Sequence, residues 1–257
     1  MADDAAESNG PQPTSPPASD MRGTEHTALL RAASDPALTA DQALALLDRA
    51  DLPADVIEQL AKRRSALKLP KAKLTLACHA HTPRHISVPL IRHFYTFDLM
   101  KVALSLVVPA DVKLVADETL LSRLKTITSG ERLTLARRAS GRIAGALLND
   151  SEERIMCAAL ENARLTEVLV IQAVLKAEAS AALVHCVSQH AKWSYRRDVQ
   201  LALLRTEHLS LARALALSRE LSAAHLADIL RTSRLPSQIK TQLLNQKTQA
   251  KAATEAG

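Results

Sequence analysis

The segment from Leu76 to Phe94 holds one cysteine and four histidines in nineteen positions. Cys78, His79, His81 and His85 are the candidate metal ligands among them. A His-x-His pair beside a cysteine is a ligand spacing that suits zinc. The first question is therefore whether this segment forms a metal site or serves the fold.

Other residue types that could support catalysis are sparse. Cys78, Cys157 and Cys186 lie far apart and form no CxxC pair, which favours reduced, buried thiols over a disulfide frame or a zinc knuckle. The chain contains no glycine-rich phosphate loop, no GxSxG and no HExxH. The acid pairs Asp117-Glu118 and Glu152-Glu153 are expected near helix termini, where a negative charge is favourable or solvated. No pattern here demands an enzyme, and we expect none.

Short helices must position these residues. Apolar side chains recur with a period of 3.6 in segments such as RIMCAAL, EVLVIQAVL and AALVHCVSQ. The chain has 6 glycines and 2% aromatic residues, too few for the hairpins and packed faces that sheets need. We therefore expect an all-α fold of roughly twelve to fourteen short helices.

The apolar segments are joined by related five-residue junctions. The first position suits a helix end, including one in left-handed geometry, the fourth is usually apolar, and the fifth suits an N-cap or a first helical residue. Strong junctions lie 26 to 28 residues apart in places, which is the length of a helix pair. Further caps are expected at Ser129, Ser140, Ser151 and Ser222. The junctions are residues 35–39, 79–83, 162–166, 190–194, 206–210 and 232–236.

The same comparison answers the metal question. His79 stands where Asn162 and His190 stand in their junctions, and His81 stands where Arg164 stands. An arginine is no metal ligand, so the third position selects a long polar side chain. We expect neither a metal nor another cofactor at the histidine-rich segment.

Short amphipathic helix pairs stack on their neighbours, because one pair cannot bury its apolar face alone. The segments ALENARLTEVLVIQAVL and HAKWSYRRDVQLALL resemble HEAT-like repeats of the leucine-rich-repeat-variant kind, found in bacterial α-solenoids. The resemblance covers about residues 24–244. It implies a right-handed armadillo/HEAT-like α-solenoid of antiparallel helix pairs. It also implies a binding scaffold, although a few HEAT-like proteins are DNA glycosylases.

Positive charge is concentrated between Glu58 and Asp98, where there is no acidic residue. Such a region could face an acidic partner, a nucleic-acid backbone or only water. The scarcity of aromatic residues argues against base stacking and against glycosylase chemistry. The basic side chains of this region are Lys62, Arg63, Arg64, Lys68, Lys71, Lys73, Arg84 and Arg92.

A second set of surface candidates lies at later junctions. Arg164 and Lys192 occupy third positions, which could align along one edge of stacked repeats. Arg196 and Arg197 follow Trp193, the only tryptophan. An exposed tryptophan between arginines would be a binding hot spot. Trp193 occupies the apolar fourth position, however, and we expect it to pack between helices.

The two ends of the chain differ from its middle. Residues 1–22 are rich in Pro, Ser and Asp and predict a disordered acidic tail, residues 23–244 predict one helical repeat domain, and residues 245–257 predict a second disordered tail. Residues 1–40 carry a net charge of −4, against +10 for the rest. The acidic tail could therefore fold back on the basic region. No stretch approaches the roughly 20 apolar residues of a membrane span, and the N-terminus lacks signal-peptide features, so we expect a cytoplasmic protein without membrane contact.

The sequence thus predicts a non-catalytic helical-repeat scaffold that binds a protein partner through its concave face. The alternative is a HEAT-like nucleic-acid-binding protein, possibly glycosylase-like, that uses residues 59–97.

Overall fold

The computed structural model describes the backbone of residues 18–255 and the side chains of residues 23–249. The chain divides into two compact units, one ending at Leu90 and one beginning at Ile91. Most of the predicted N-terminal tail, residues 1–17, lies outside the described part. So does its predicted contact with the basic region.

The first unit is built from five short helices, the last of which ends one residue beyond the unit boundary. Helices one and three pack together, as do helices two and four. Their shared core includes Leu47, Leu52, Ile57 and Leu60. The helices are α1 (Ala18–Ser34), α2 (Ala40–Leu47), α3 (Ala54–Lys62), α4 (Pro70–Cys78) and α5 (Arg84–Ile91).

The second unit contains eleven helices. They are α6 (Thr96–Leu104), α7 (Ala110–Arg123), α8 (Ser129–Arg138), α9 (Gly141–Leu147), α10 (Glu153–Leu160), α11 (Glu167–Leu175), α12 (Ala181–Gln189), α13 (Arg197–Leu203), α14 (Leu211–Ser218), α15 (Ala223–Thr232) and α16 (Ser237–Glu255). The final helix continues through residues 245–255, which the composition assigns to a tail.

The described residues are all-helical, as the sequence predicts, with sixteen helices and no strand. The prediction of roughly twelve to fourteen helices is therefore too low. Elements as short as α9 and α13, with seven residues each, span only two turns. Such segments contain too few apolar residues for the 3.6-residue period to identify each one as a separate helix.

In the second unit, a helix packs on the helix two places earlier. Contacts link α7 to α9, α9 to α11 and α11 to α13, and a second series links α8 to α10 and α10 to α12. The last such pair is α14 with α16. A helix pair of 26 to 28 residues, as the junction spacing predicts, brings equivalent helices together in this way.

Several helix starts follow the capping chemistry that the sequence indicates. Thr39 and Thr128 each form a capping box, because the hydroxyl accepts from the N–H of the residue three places on, whose side chain accepts in return. Ser140 and Ser222 cap α9 and α15 as predicted. Ser180, which caps α12, was not predicted.

Three predicted caps are wrong by one or more residues. Ser129 is the first residue of α8, since Thr128 takes the cap. Glu152 takes the cap of α10 in place of Ser151. After Ser194 the chain makes one further turn, so that α13 begins only at Arg197.

Helix ends also differ from the predicted left-handed geometry. No described residue has a positive φ. The C-cap residues His79 and His190 instead adopt extended backbone, with φ −70° and −67°. These junctions stop the helix by leaving it in the β region, which needs neither Gly nor Asn.

Gly141 and Gly145 allow a close approach between α9 and α11. A Cβ at Gly141 would collide with the carbonyl oxygen of Arg164. A Cβ at Gly145 would lie 3.2 Å from the Cβ of Leu169. The absent side chains therefore set the separation of these two helices.

Across the described residues, no helix combines the length and apolarity that crossing a membrane requires.

Candidate functional site

His79 and His81 are both bound to main-chain groups. His79 Nε2 lies 2.8 Å from the carbonyl oxygen of Arg49, and its Nδ1 accepts from the N–H of His81 at 3.2 Å. His81 Nδ1 lies 3.0 Å from the carbonyl oxygen of Leu52. A carbonyl oxygen only accepts, so these ring nitrogens carry the proton and donate. Both rings thus hold the junction after α4 against the connection between α2 and α3.

The other candidate ligands of this segment point elsewhere. His85 is exposed, and its Nε2 lies 3.9 Å from Glu58 Oε1. Within the described residues, Cys78, His79, His81 and His85 do not form a group whose ligand atoms converge on one point. The sequence interpretation of the segment as a junction is the one that these contacts favour.

The first junction position has a common chemical task. Its side chain accepts from the N–H two residues ahead, in Asp35, His79, Asn162 and His190. A side chain that also has a donor can bond back to the preceding repeat. Asn162 is 2% exposed, and its Nδ2 donates to the carbonyl oxygens of Ala136 and Ala139.

The junction at residues 232–236 is displaced by one position. Ser233, not Thr232, accepts from the N–H two residues ahead, which belongs to Leu235. Its hydroxyl donates to the carbonyl oxygen of Leu204 at 2.7 Å. Asn, His and Ser fit this position because each combines an acceptor with a donor.

The third-position cations of the second unit also bind the fold. Arg164 Nη1 donates to the carbonyl oxygen of Arg138 at 3.3 Å. Arg234 Nη2 donates to the carbonyl oxygens of Leu175 and Lys176. A positive side chain is favourable there, because carbonyls at a helix end lack intrahelical partners. These two guanidinium groups therefore bind carbonyl groups at helix ends of the chain itself, which limits their availability to a partner.

Trp193 packs between helices, as predicted. It is 2% exposed, and its Nε1–H donates to the carbonyl oxygen of Leu160 at 2.9 Å. Lys192 places its ammonium 4.2 Å from the centre of the tryptophan ring. The tryptophan itself is therefore unavailable to a ligand.

The acid pair of α7 does not lie at a helix terminus, contrary to expectation. Asp117 is buried in the middle of α7, where its two carboxylate oxygens share the single hydrogen that the Ser140 hydroxyl donates at the start of α9. Burial raises the pKa of Asp117, and the Ser140 hydrogen bond and Arg142 oppose that shift. The carboxylate therefore binds the N-cap residue of α9, the helix that packs on α7.

The buried-thiol prediction also needs correction. Cys157 is exposed, Cys186 and Cys78 are half-buried, and the Sγ atoms of Cys157 and Cys186 lie 3.7 Å apart. The two residues are 29 positions apart, close to one helix pair. The sequence contains this spacing, but the spacing pairs the two cysteines only when the packing of α12 on α10 is known.

The basic segment, defined here as residues 62–73, belongs to the first unit. It runs from the end of α3, through a turn, into the first turn of α4. Arg63 is half-buried and donates to the carbonyl oxygen of Ser34. The other cations are exposed and have no ion pair among the described residues; they are Lys62, Arg64, Lys68, Lys71 and Lys73.

Arg84 and Arg92, the remaining cations of the acid-free region, are exposed as well. They lie in different units of the chain, Arg84 at the start of α5 and Arg92 just beyond its end. The basic segment is therefore the continuous part of this region.

A groove in the second unit places Tyr195 beside α13 and the end of α14. It has a volume of about 490 Å³. Tyr195 is 80% exposed. Four leucines line the groove, of which Leu204 is buried and the other three are half-buried. We call this the Tyr195 groove; the residues that define it are Tyr195, Arg197, Leu201, Leu217, Glu220 and Leu221.

The Tyr195 groove contains only one of the predicted surface residues, Arg197. Arg196 is exposed beside it. Sequence reasoning concentrated on Trp193 and missed Tyr195, although Tyr195 directly follows the junction that contains the tryptophan. The turn between Trp193 and α13 explains why Tyr195, and not Trp193, is exposed, because it buries the indole and turns the phenol outward.

The chain matches no family model, no curated protein and no solved structure.

Proposed function

We propose that the chain is a non-catalytic helical-repeat scaffold that binds a protein partner, and that the Tyr195 groove is a principal contact. The HEAT-like resemblance implies that the helices continue as a right-handed armadillo/HEAT-like α-solenoid. It also implies that the partner lies on the concave face. The alternate packing of helices and the repeated junction bonds support this proposal.

One observation favours the groove above other surfaces: an exposed tyrosine and an arginine border half-buried leucines. Tyr and Arg are enriched at the energetic centres of protein interfaces, where they lie over well-packed apolar pockets. Tyr195 has little side-chain entropy to lose on binding, since only two torsions are fixed. A large exposed side chain beside unfilled apolar surface is therefore well suited to an interface.

The groove also indicates the chemistry of its occupant. Leu201, Leu217 and Leu221 offer contact to an apolar side chain. Arg197 can pair with a carboxylate, and Glu220 can pair with a cation. The expected partner segment presents an apolar anchor between an acidic and a basic residue.

The test compares two tyrosines of equal exposure. Tyr195 is 80% exposed and Tyr95 is 79% exposed, but Tyr95 does not line the groove. A photo-reactive amino acid is placed at position 195 in one variant and at position 95 in another, and both are crosslinked in living cells. The candidate partner is a protein that crosslinks from position 195 and not from position 95. The dissociation constant of that purified protein is then measured against the full chain.

Tyr195→Ala should raise this dissociation constant about 30-fold, which corresponds to the loss of a hot spot worth about 2 kcal/mol. Tyr95→Ala should leave it within about twofold. A dissociation constant unchanged by Tyr195→Ala combined with Arg197→Glu would overturn the assignment of the groove.

A second candidate function, nucleic-acid binding, is favoured by the basic segment. Its exposed cations have no acidic partner among the described residues, and this favours contact with a phosphate backbone. Binding of this kind weakens steeply with salt and needs no aromatic platform. Absence of binding to a generic duplex at about 50 mM salt would remove this candidate.

A further inference from the structure

A cleft of about 560 Å³ lies along α8, α10 and α12 in the second unit, apart from the Tyr195 groove. It is lined by residues that include Arg137, Cys157, Leu160, Glu161, Cys186 and His190. Glu153 stands one helical turn before Cys157 and so shares its face of α10. Two thiols and a carboxylate from neighbouring helices therefore meet beside one cleft.

The distances among these three side chains are short. The Sγ atoms of Cys157 and Cys186 lie 3.7 Å apart, and Cys186 Sγ lies 3.8 Å from Glu153 Oε1. All three potential ligand atoms lie within 4.8 Å of one another. Among the described residues this is the group of potential metal-binding side chains that converges in this way.

These separations match those around a tetrahedral zinc ion. With Zn–S bonds of about 2.3 Å, two tetrahedral thiolate ligands lie ~3.8 Å apart. With a Zn–O bond of about 2.1 Å, a thiolate and a carboxylate oxygen lie ~3.6 Å apart. The two sulfur atoms therefore need almost no movement, and the carboxylate needs a rotamer adjustment.

We propose that Cys157, Cys186 and Glu153 bind one Zn²⁺ ion, with a fourth position open to water or to a group in the cleft. Two sulfur ligands with one oxygen favour zinc over the harder cations Mg²⁺ and Ca²⁺, which prefer oxygen. The ion joins α10 to α12, the equivalent helices of adjacent helix pairs. It would therefore connect one repeat to the next.

Zn²⁺ binding must displace the proton of the Cys186 thiol, which is a cost of forming this site. Burial raises the pKa of the Cys186 thiol to about 11, and the nearby Cys157 and Glu153 add to the shift. Without a metal, ionising this thiol brings negative groups together in a half-buried place. Binding as thiolates transfers the thiol protons to solvent, and the positive ion offsets the charge that remains.

Arg154, which also lines the cleft, forms its hydrogen bonds away from the position of the ion. Arg154 Nε donates to Glu152, and Arg154 Nη2 donates to the Ser129 hydroxyl. His190 Nε2 lies 3.1 Å from Glu161 Oε1 at the far end of the cleft. The Glu153 carboxylate therefore remains directed toward the two thiols.

The experiment uses the full chain, kept reduced and stripped of metal by a chelator. Zn²⁺ is titrated in competition with a chromophoric zinc chelator, and Co²⁺ is used as a spectroscopic substitute. We expect one ion per chain and, with Co²⁺, the thiolate charge-transfer absorption and visible bands of a tetrahedral sulfur-containing site. Cys157→Ser and Cys186→Ser should each abolish the charge-transfer signal or weaken binding at least 100-fold.

Cys78→Ser is the matched control, because it removes the third cysteine, which lies in the other unit. It should retain the stoichiometry and affinity of the unmodified chain. Glu153→Gln should weaken Zn²⁺ binding while it preserves the sulfur-to-cobalt absorption. Helical circular dichroism of each variant establishes that it is folded.

A second measurement needs no variant. Stoichiometric Zn²⁺ should slow iodoacetamide alkylation of Cys157 and Cys186 at least tenfold and leave that of Cys78 unchanged, as followed by peptide mass spectrometry. The proposal is overturned by an absence of stoichiometric binding to the reduced chain. It is equally overturned by Zn²⁺ binding that survives both serine variants. A further contrary result is that the only change observed is a disulfide between Cys157 and Cys186, which Zn²⁺ fails to prevent.

Discussion

At the scale of single residues, the junctions follow from hydrogen-bond capacity. At four of the six junctions the first side chain accepts from the N–H two residues ahead. It is most useful when it can also donate to a helix end behind it. Asn162 does both while almost fully buried. The residue types at this position can be identified from the sequence. Only the hydrogen bonds in the structure explain why these types occur there.

Asn162→Ala should destabilise the fold strongly. The substitution leaves the carbonyls of Ala136 and Ala139 and the N–H of Arg164 without this partner, and unpaired buried polar groups cost about 1–3 kcal/mol each. We expect a loss of about 3 kcal/mol in the free energy of unfolding, measured by urea denaturation.

Asn162→Asp is the informative comparison for that prediction. It keeps the acceptor for Arg164 but replaces the donor with an oxygen facing carbonyl oxygens. It should be at least as destabilising as Asn162→Ala near neutral pH. A change below about 0.5 kcal/mol for both variants would contradict the role assigned to the donor.

Glu152 gives a prediction for pH. Hydrogen bonds from Ser129 and Arg154, followed by Arg132, hold its pKa below the ordinary glutamate value. A lowered pKa in the folded state contributes stability above the unfolded pKa, and that contribution is lost as pH falls through the folded pKa. The difference in melting temperature between the unmodified chain and Glu152→Gln should therefore be largest at neutral pH. It should shrink as pH falls below about 4.3, the value for an unperturbed glutamate; a constant difference from pH 7 to pH 3 would refute the assignment.

At the scale of elements, helix type could be predicted from the sequence and helix edges only in part. Ser140 and Ser222 cap helices where expected, because the local hydrogen bond is decided by neighbours in sequence. Ser194 does not cap α13, because an extra turn follows Trp193, whose indole donates to the carbonyl oxygen of Leu160. Contacts from a different helix pair thus override the local signal, and they are also what exposes Tyr195.

The same limit applies to the two candidate sites. The basic segment could be identified from the sequence, since it is continuous. The groove and the cysteine pair could not, because they depend on which faces of separate helices adjoin. The spacing between Cys157 and Cys186 becomes informative only when the repeat length and the register of α10 on α12 are both known.

The approach of α9 to α11 gives a prediction at this scale. Gly141→Ala introduces a Cβ against the carbonyl oxygen of Arg164, so one of the two helices must shift. Overpacking of this kind typically costs about 1–3 kcal/mol. Urea denaturation should show a loss in that range.

Gly130→Ala is the control for Gly141→Ala, because a Cβ there meets nothing within 4 Å. Gly130 lies within α8, where alanine is preferred to glycine by about 1 kcal/mol. This variant should be neutral or stabilising. An equal effect of the two substitutions on the free energy of unfolding would contradict the assignment of the Gly141→Ala loss to the close approach.

At the scale of the whole molecule, the chain carries a formal net charge of +6. Net charge alone attracts a polyanion, whereas a binding surface requires cations placed together. These two causes can be separated because exposed lysines occur both inside and outside the basic segment. Lys68 and Lys71 lie inside it, and Lys125 and Lys176 are exposed in the second unit.

The two lysine pairs give matched double variants of identical net charge. If the basic segment binds phosphates, Lys68→Glu with Lys71→Glu should weaken duplex binding sharply and reduce the slope of log K against log salt by about 2. Lys125→Glu with Lys176→Glu should leave that slope nearly unchanged. Fluorescence anisotropy of a labelled generic duplex from about 20 to 200 mM salt measures both quantities. Equal losses in the two variants would assign the attraction to overall charge, because only local placement distinguishes one pair of lysines from the other.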